Sequence, residues 1–239
     1  MVDNLKSSGL VMSKSSNYNT WQISFFKELI FGKVLEIGSG VGNITTAIVE
    51  RCEQVVCIEV NRDAIRKSKF KNMLYSKKIT YMMGDFMEIE VSKLPNTINL
   101  IVMMNVLEHV ENENQFMAKC KEIMISKNCP LFLLVPAHSW LFGTLDLEVG
   151  HYRRYIKQDL LKMAEEIGFR IEGLRYFNSI GALGWWVNYV LLKRKGSNEE
   201  ETSSQIFYFD KLIVPWLKFF EKCVSLPFGL SLICKLEIK

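Results

Sequence analysis

The chain has 239 residues, long enough for one sizeable α/β domain. It is 49% hydrophobic and 23% charged, a globular composition that excludes an intrinsically disordered chain. The net charge of +4 is spread along the sequence, too diffuse to point to nucleic acid, and no nucleic-acid partner is expected.

The six cysteines, at 52, 57, 120, 129, 223 and 234, include no CxxC pair. They sit in apolar contexts such as Val55-Val56-Cys57-Ile58, which reads as buried small hydrophobes in a reducing cytoplasm. The polar stretch from Met1 to Asn19 does not read as a signal peptide. No apolar run reaches the ~18 residues a membrane span requires. The expected location is cytoplasmic.

Residues 1–18 read as a loose arm and 20–30 as a short amphipathic helix. Strands are then expected at 33–37, 54–59, 79–83, 98–104 and 131–135, separated by helices at 43–52, 62–73 and 112–126. That alternation predicts a mostly parallel sheet covered by helices on both faces. Residues 136–155 read as a loop. A helix over 157–167 follows, with Leu160, Leu161, Ala164 and Ile167 on one face and Gly168 as its stop. A strand over 170–176 comes next.

The tail is more apolar. Two aromatic helices, 179–195 and 206–224, are joined by a polar linker containing Glu199-Glu200-Glu201, with Pro227 and Gly229 beyond the second helix. A last strand over 231–238 closes the chain. The whole is expected to be one domain, 1–239: a lid region (1–30), a cofactor-binding core (31–178), a helical insertion between the last two strands (179–230) and the final strand (231–239).

Glu36-Ile37-Gly38-Ser39-Gly40-Val41-Gly42 lies at a strand-to-helix turn. Glycines there permit positive φ and a close ligand approach. The dinucleotide fingerprint GxGxxG wants glycine at 43, where this chain has Asn43, and no Walker lysine follows. Glu36 would repel a pyrophosphate and attract an ammonium or sulfonium. Glu59, followed by Val60, closes the second strand and is placed to accept ribose hydroxyls. Gly84-Asp85-Phe86 closes the third, offering an acceptor and a ring to an adenine, although Asp85 also suits a helix cap. The fourth ends in Asn105-Val106-Leu107-Glu108-His109-Val110.

This ordered series resembles the class I S-adenosylmethionine-dependent methyltransferases, with their ExGxGxG motif at 36–42, the acid at 59, the adenine motif at 84–86 and an LEHV stretch at 107–110. The resemblance implies a Rossmann-like, seven-stranded sheet with an antiparallel last strand and S-adenosylmethionine as cofactor. It implies cofactor contacts from Glu36, Gly38, Gly40, Gly42, Glu59, Val60, Gly84, Asp85, Phe86 and Asn105. Tyr18 and Trp21 resemble the aromatic lid of such enzymes and are expected at the cofactor.

The densest chemistry follows strand five, in Leu145-Asp-Leu-Glu-Val-Gly-His-Tyr-Arg-Arg-Tyr155, similar to a GHxRxY loop of polysaccharide- and lipid-associated methyltransferases. His151 is the preferred base, since histidine titrates near neutrality. Tyr152 and His109 complete the catalytic set. A competing reading has His151 and Arg153 merely holding the loop, and another sends Arg153 and Arg154 to an anionic substrate. Glu108 and His109 serve a capping acid and orienting histidine equally well, and no metal ion is expected. The acceptor class is small, sugar-linked or lipid-linked, with oxygen favoured over nitrogen. A non-catalytic cofactor-binding protein is the alternative of a different kind. Three readings compete for the apolar tail: a cover over the substrate, a homodimer interface, or contact with a membrane surface.

Overall fold

A computed structural model of the chain describes residues 16–194, 207–224 and 226–239. The arm at 1–15 and the linker bearing Glu199 to Glu201 lie outside the described residues.

Seven strands form one sheet: β1 Lys33–Ile37, β2 Gln54–Glu59, β3 Ile79–Met83, β4 Leu100–Met104, β5 Leu131–Pro136, β6 Phe169–Phe177 and β7 Ser231–Ile238. Their order is β3-β2-β1-β4-β5-β7-β6. The pairs β1–β2, β2–β3, β1–β4 and β4–β5 are parallel, whereas β7 runs antiparallel to both β5 and β6. The order reverses between β1 and β4, so the carboxyl ends of these strands open on a crevice, the usual ligand position in doubly wound sheets.

The helices are α1 Ser16–Ile23, α2 Asn43–Val49, α3 Arg62–Lys71, α4 Glu113–Lys127, α5 Thr144–Val149, α6 Lys157–Ile167, α7 Ser179–Trp185 and α8 Val214–Cys223. Strand alternation sorts the core into two layers. Leu35, Ile37, Val56, Ile58, Ile101 and Met103 face α4 and α6 through Met117, Cys120, Ile123 and Leu160. Val34, Val55, Val102, Phe132 and Leu134 face α1, α2 and α8 through Trp21, Ile48, Val214 and Leu217.

Three elements depart from the sequence expectations. The first helix begins at Ser16 rather than 20, because Asp210, far along the chain, accepts hydrogen bonds from the Asn17 and Tyr18 amides at 3.2 and 2.8 Å. That cap satisfies N–H groups that have no partner within the helix. The expected loop at 136–155 contains α5, started by the Gly143 amide donating to Asp146 at 2.8 Å and stopped by Gly150 at φ +81°. The tail helices include π-helical stretches, Trp186–Leu191 and Phe209–Ile213. Gly168 ends α6 at φ +90°, as its position in the sequence suggests. No helix among the described residues is long and apolar enough to cross a membrane.

Candidate active site

The glycine turn joins β1 to α2 at the crevice. Gly38, Gly40 and Gly42 all have positive φ, of +72°, +53° and +79°. A side chain on Gly38 would place its Cβ 2.4 Å from Val106 Cγ2, and one on Gly42 would meet Ser68 Oγ at 2.2 Å. Above Gly40 a Cβ would find nothing within 4 Å, so the turn presents bare backbone to open space. Such a cradle fits a nucleoside-bearing ligand.

Glu59 braces this turn. One carboxylate oxygen accepts from the Gly40 amide at 2.7 Å and the other from the Asn61 amide at 2.8 Å. Each oxygen keeps a lone pair for a further donor. Val60, beside it, is exposed. At the end of β3, the Gly84 amide donates to the Glu59 carbonyl at 3.1 Å. Asp85 is exposed and accepts from the Met87 amide at 2.8 Å, so it caps a short turn while standing at the crevice. Asn105 ends β4 with φ +53° and is exposed there.

Four residues expected at the cofactor are buried. Glu36 accepts from the Thr45 hydroxyl at 2.6 Å beneath the turn. Burial pushes its carboxyl up to about 7, against the pull of Thr45 and Cys57. Phe86 is 4% exposed and packs on Phe116 at a ring separation of 4.7 Å. Trp21, 1% exposed, lies against Phe177 at 4.3 Å, and Tyr18 is buried beside it with its hydroxyl pushed up to about 12 by desolvation. These placements pack the four side chains beneath and beside the crevice. An aromatic that packs a core and one that covers a ligand have the same sequence signature.

The second half of the site is built by α5 and the residues after it. His151 Nδ1 is 2.6 Å from Asp146 Oδ1. Both Asp146 oxygens accept from Arg154 Nε at 3.0 Å. Burial alone would raise the Asp146 carboxyl, but His151 and Arg154 outweigh it and hold it below its ordinary value. Arg154 also donates to the Ala137 carbonyl at 3.2 Å and lies 4.6 Å over the Trp185 ring, which ties the loop to the tail helix. Arg153 pairs with Glu113 at 3.0 Å and donates to the Glu111 carbonyl at 2.9 Å. Both arginines thus have internal partners. Tyr152 is exposed at the rim, its amide donating to the Glu108 carbonyl at 2.8 Å.

His151 Nε2 faces Glu108 Oε1 at 3.8 Å, and the rings of His109 and His151 meet edge to face at 4.6 Å. Glu108 is fully buried, and neither of its carboxylate oxygens has a hydrogen-bond donor among the described residues. Burial raises its carboxyl to about 8, while burial and the neighbouring His151 lower His109 to about 4. Ligand atoms of Glu108, His109 and His151 lie within 4.8 Å of one another, a spacing that a metal ion could use. The sequence did not mark this convergence, since His151 follows Glu108 by more than forty residues. Asp146 was one of several acids in its loop. Its partnership with His151 could have been read from a histidine five residues on, across a glycine that turns the chain back.

Residues 35–127 match a family model described as a methyltransferase domain. An uncharacterized methyltransferase of Bacillus cytotoxicus is 36% identical over 93 residues, covering 38% of this chain and 40% of that one. The chain thus spans about two fifths of that relative. A ubiquinone biosynthesis O-methyltransferase of Nitrosospira multiformis is 24% identical over 180 residues, 67% of this chain and 75% of the relative. Among solved structures, the YcgJ protein of Bacillus subtilis superposes with a TM-score of 0.59 at 10% identity, over 91% of this chain and 98% of that one. That likeness speaks for the fold alone.

Proposed function

We propose that this chain, whose residues 35–127 match a methyltransferase-domain model, transfers a methyl group from S-adenosylmethionine to an oxygen of a small, sugar-linked or lipid-linked acceptor. The observation that carries this reading is the Asp146–His151 pair facing Glu108 just past β4, while Val106 of the same stretch borders the glycine turn at Gly38. The O-methyltransferase relative supports oxygen as the acceptor atom.

The turn at Gly38, Gly40 and Gly42 would hold the cofactor's backbone-facing portion, Glu59 its ribose hydroxyls, and Asp85 its adenine amine. Asn105 would close the crevice from β4. Bound there, S-adenosylmethionine supplies an electrophilic methyl group and leaves as a neutral thioether. Asp146 fixes the His151 tautomer with the proton on Nδ1, leaving Nε2 as an acceptor. His151 Nε2 takes the acceptor hydroxyl's proton as the oxygen–carbon bond forms. Positioning of the two reactants provides most of the barrier reduction.

Calorimetric titration with S-adenosylmethionine tests the cofactor half. Gly38→Arg should abolish binding, because its side chain would strike Val106 in a left-handed backbone, and Asp85→Ala should weaken it. Wild-type affinity in both folded variants would overturn the assignment. A screen of hydroxylated acceptors with methyl-labelled cofactor tests the rest. Transfer to amines alone would replace the oxygen reading.

A further inference from the structure

The exposed apolar surface of this molecule is concentrated on the insertion between β6 and β7. Along the segment leading into and through α8, Tyr208, Leu212, Trp216 and Phe219 recur at helical spacing and are 62%, 63%, 78% and 73% exposed. Phe220 widens the stripe at 54%. The opposite side of the same segment is fully used. Val214 and Leu217 pack in the core, Asp210 caps α1, and Glu221 accepts from the Ser179 hydroxyl and amide at 2.6 and 2.8 Å.

Both described acids of this segment therefore point inward, where each is satisfied by backbone donors. The outward side carries aromatic and aliphatic groups flanked by Lys211 and Lys218. The other insertion helix repeats the pattern. Leu183, Trp186, Leu191 and Leu192 are exposed, the stretch from 179 to 194 contains no acid, and it ends in Lys193-Arg194.

We propose that this insertion is a docking surface for an anionic lipid bilayer, on which the segment 207–220 lies flat. Charge selects this occupant. A face with cations and no outward acid, rich in tryptophan, tyrosine and phenylalanine, matches the boundary between acyl chains and anionic headgroups. There aromatics settle at the interface, and lysines extend towards phosphate. Spanning is excluded for the described helices by their length. The proposal is independent of the methyl-transfer reading, since none of these residues belongs to the crevice.

Cosedimentation of the full chain with vesicles is the test, using phosphatidylcholine alone and phosphatidylcholine mixed with phosphatidylglycerol. Wild type should prefer the anionic vesicles by about tenfold or more, and lose the preference as salt rises. Trp216→Glu with Phe219→Glu should abolish vesicle binding while leaving the circular dichroism spectrum and S-adenosylmethionine affinity unchanged. Should that pair fail to fold, Lys211→Glu with Lys218→Glu provides a second measurement, with the anionic preference expected to vanish. Failure of wild type to bind anionic vesicles, or unaltered binding by a folded variant pair, would overturn the proposal. So would a wild-type dimer in sedimentation equilibrium that Trp216→Glu with Phe219→Glu converts to monomer, which would make this face a subunit interface.

Discussion

His151 and Asp146 form a 2.6 Å hydrogen bond within a single turn of chain, the helix α5 and the glycine that ends it. Asp146 is anchored three times over, by Arg154, by the Gly143 amide and by His151 itself. A histidine needs such an anchor on one nitrogen if the other is to accept a proton in a fixed direction.

His151→Ala should lower kcat by about 10² to 10⁴, the range of a lost general base, with cofactor affinity unchanged. Asp146→Asn should reproduce most of that loss through kcat rather than KM, because it disturbs tautomer and orientation without removing the imidazole. Steady-state kinetics on folded variants decides the matter. Normal turnover in His151→Ala would leave the histidine as a loop anchor only.

Most of the fold was legible because its signals are local. Short apolar runs mark β1, β2 and β3 at the residues where they occur, and Gly168 stops α6 where a left-handed cap is needed. The glycine turn was legible because positive φ selects its residues. What escaped the sequence depends on distant partners. The start of α1 is set by Asp210, about 190 positions away. The packing of Trp21 on Phe177 and of Phe86 on Phe116 joins residues far apart in sequence. The pairing of Glu108 with His151 requires β4 and the loop after β5 to end side by side, which sheet order decides and local pattern does not.

Glu108 gives the site a characteristic pH response. Burial raises its carboxyl to about 8, while the unfolded chain ionises near the ordinary 4.5. Between these values the folded state holds the extra proton, so this group's contribution to stability is complete below about pH 4.5 and is lost as pH rises through about 8. Glu108→Gln removes the ionisation and keeps the shape. It should flatten the decline of melting temperature between pH 5 and 8.5, with a gain of roughly 2–4 kcal/mol at the alkaline end. Thermal melts across that range measure it. Stabilisation of wild type at pH 8 by an added divalent cation, absent in Glu108→Gln, would assign a metal ion to this corner instead of a proton.

Asp210 is the clearest case of a residue whose position in sequence hides its work. Its two oxygens receive the Tyr18 amide at 2.8 Å and the Asn17 amide at 3.2 Å, and its carbonyl receives the Asn17 side-chain amide at 3.0 Å. An acid at a helix start satisfies orphan donors there. Being almost fully buried, it does so where water cannot substitute. Asp210→Ala should therefore cost about 1–2 kcal/mol and selectively raise hydrogen exchange across Ser16–Ile23. Asp210→Asn keeps an acceptor and should recover part of the loss. Because α1 lays Trp21 onto Phe177, loosening it should also expose that tryptophan to fluorescence quenchers. Unchanged exchange in α1 together with an unchanged melting temperature would show that the helix holds itself in place by packing alone.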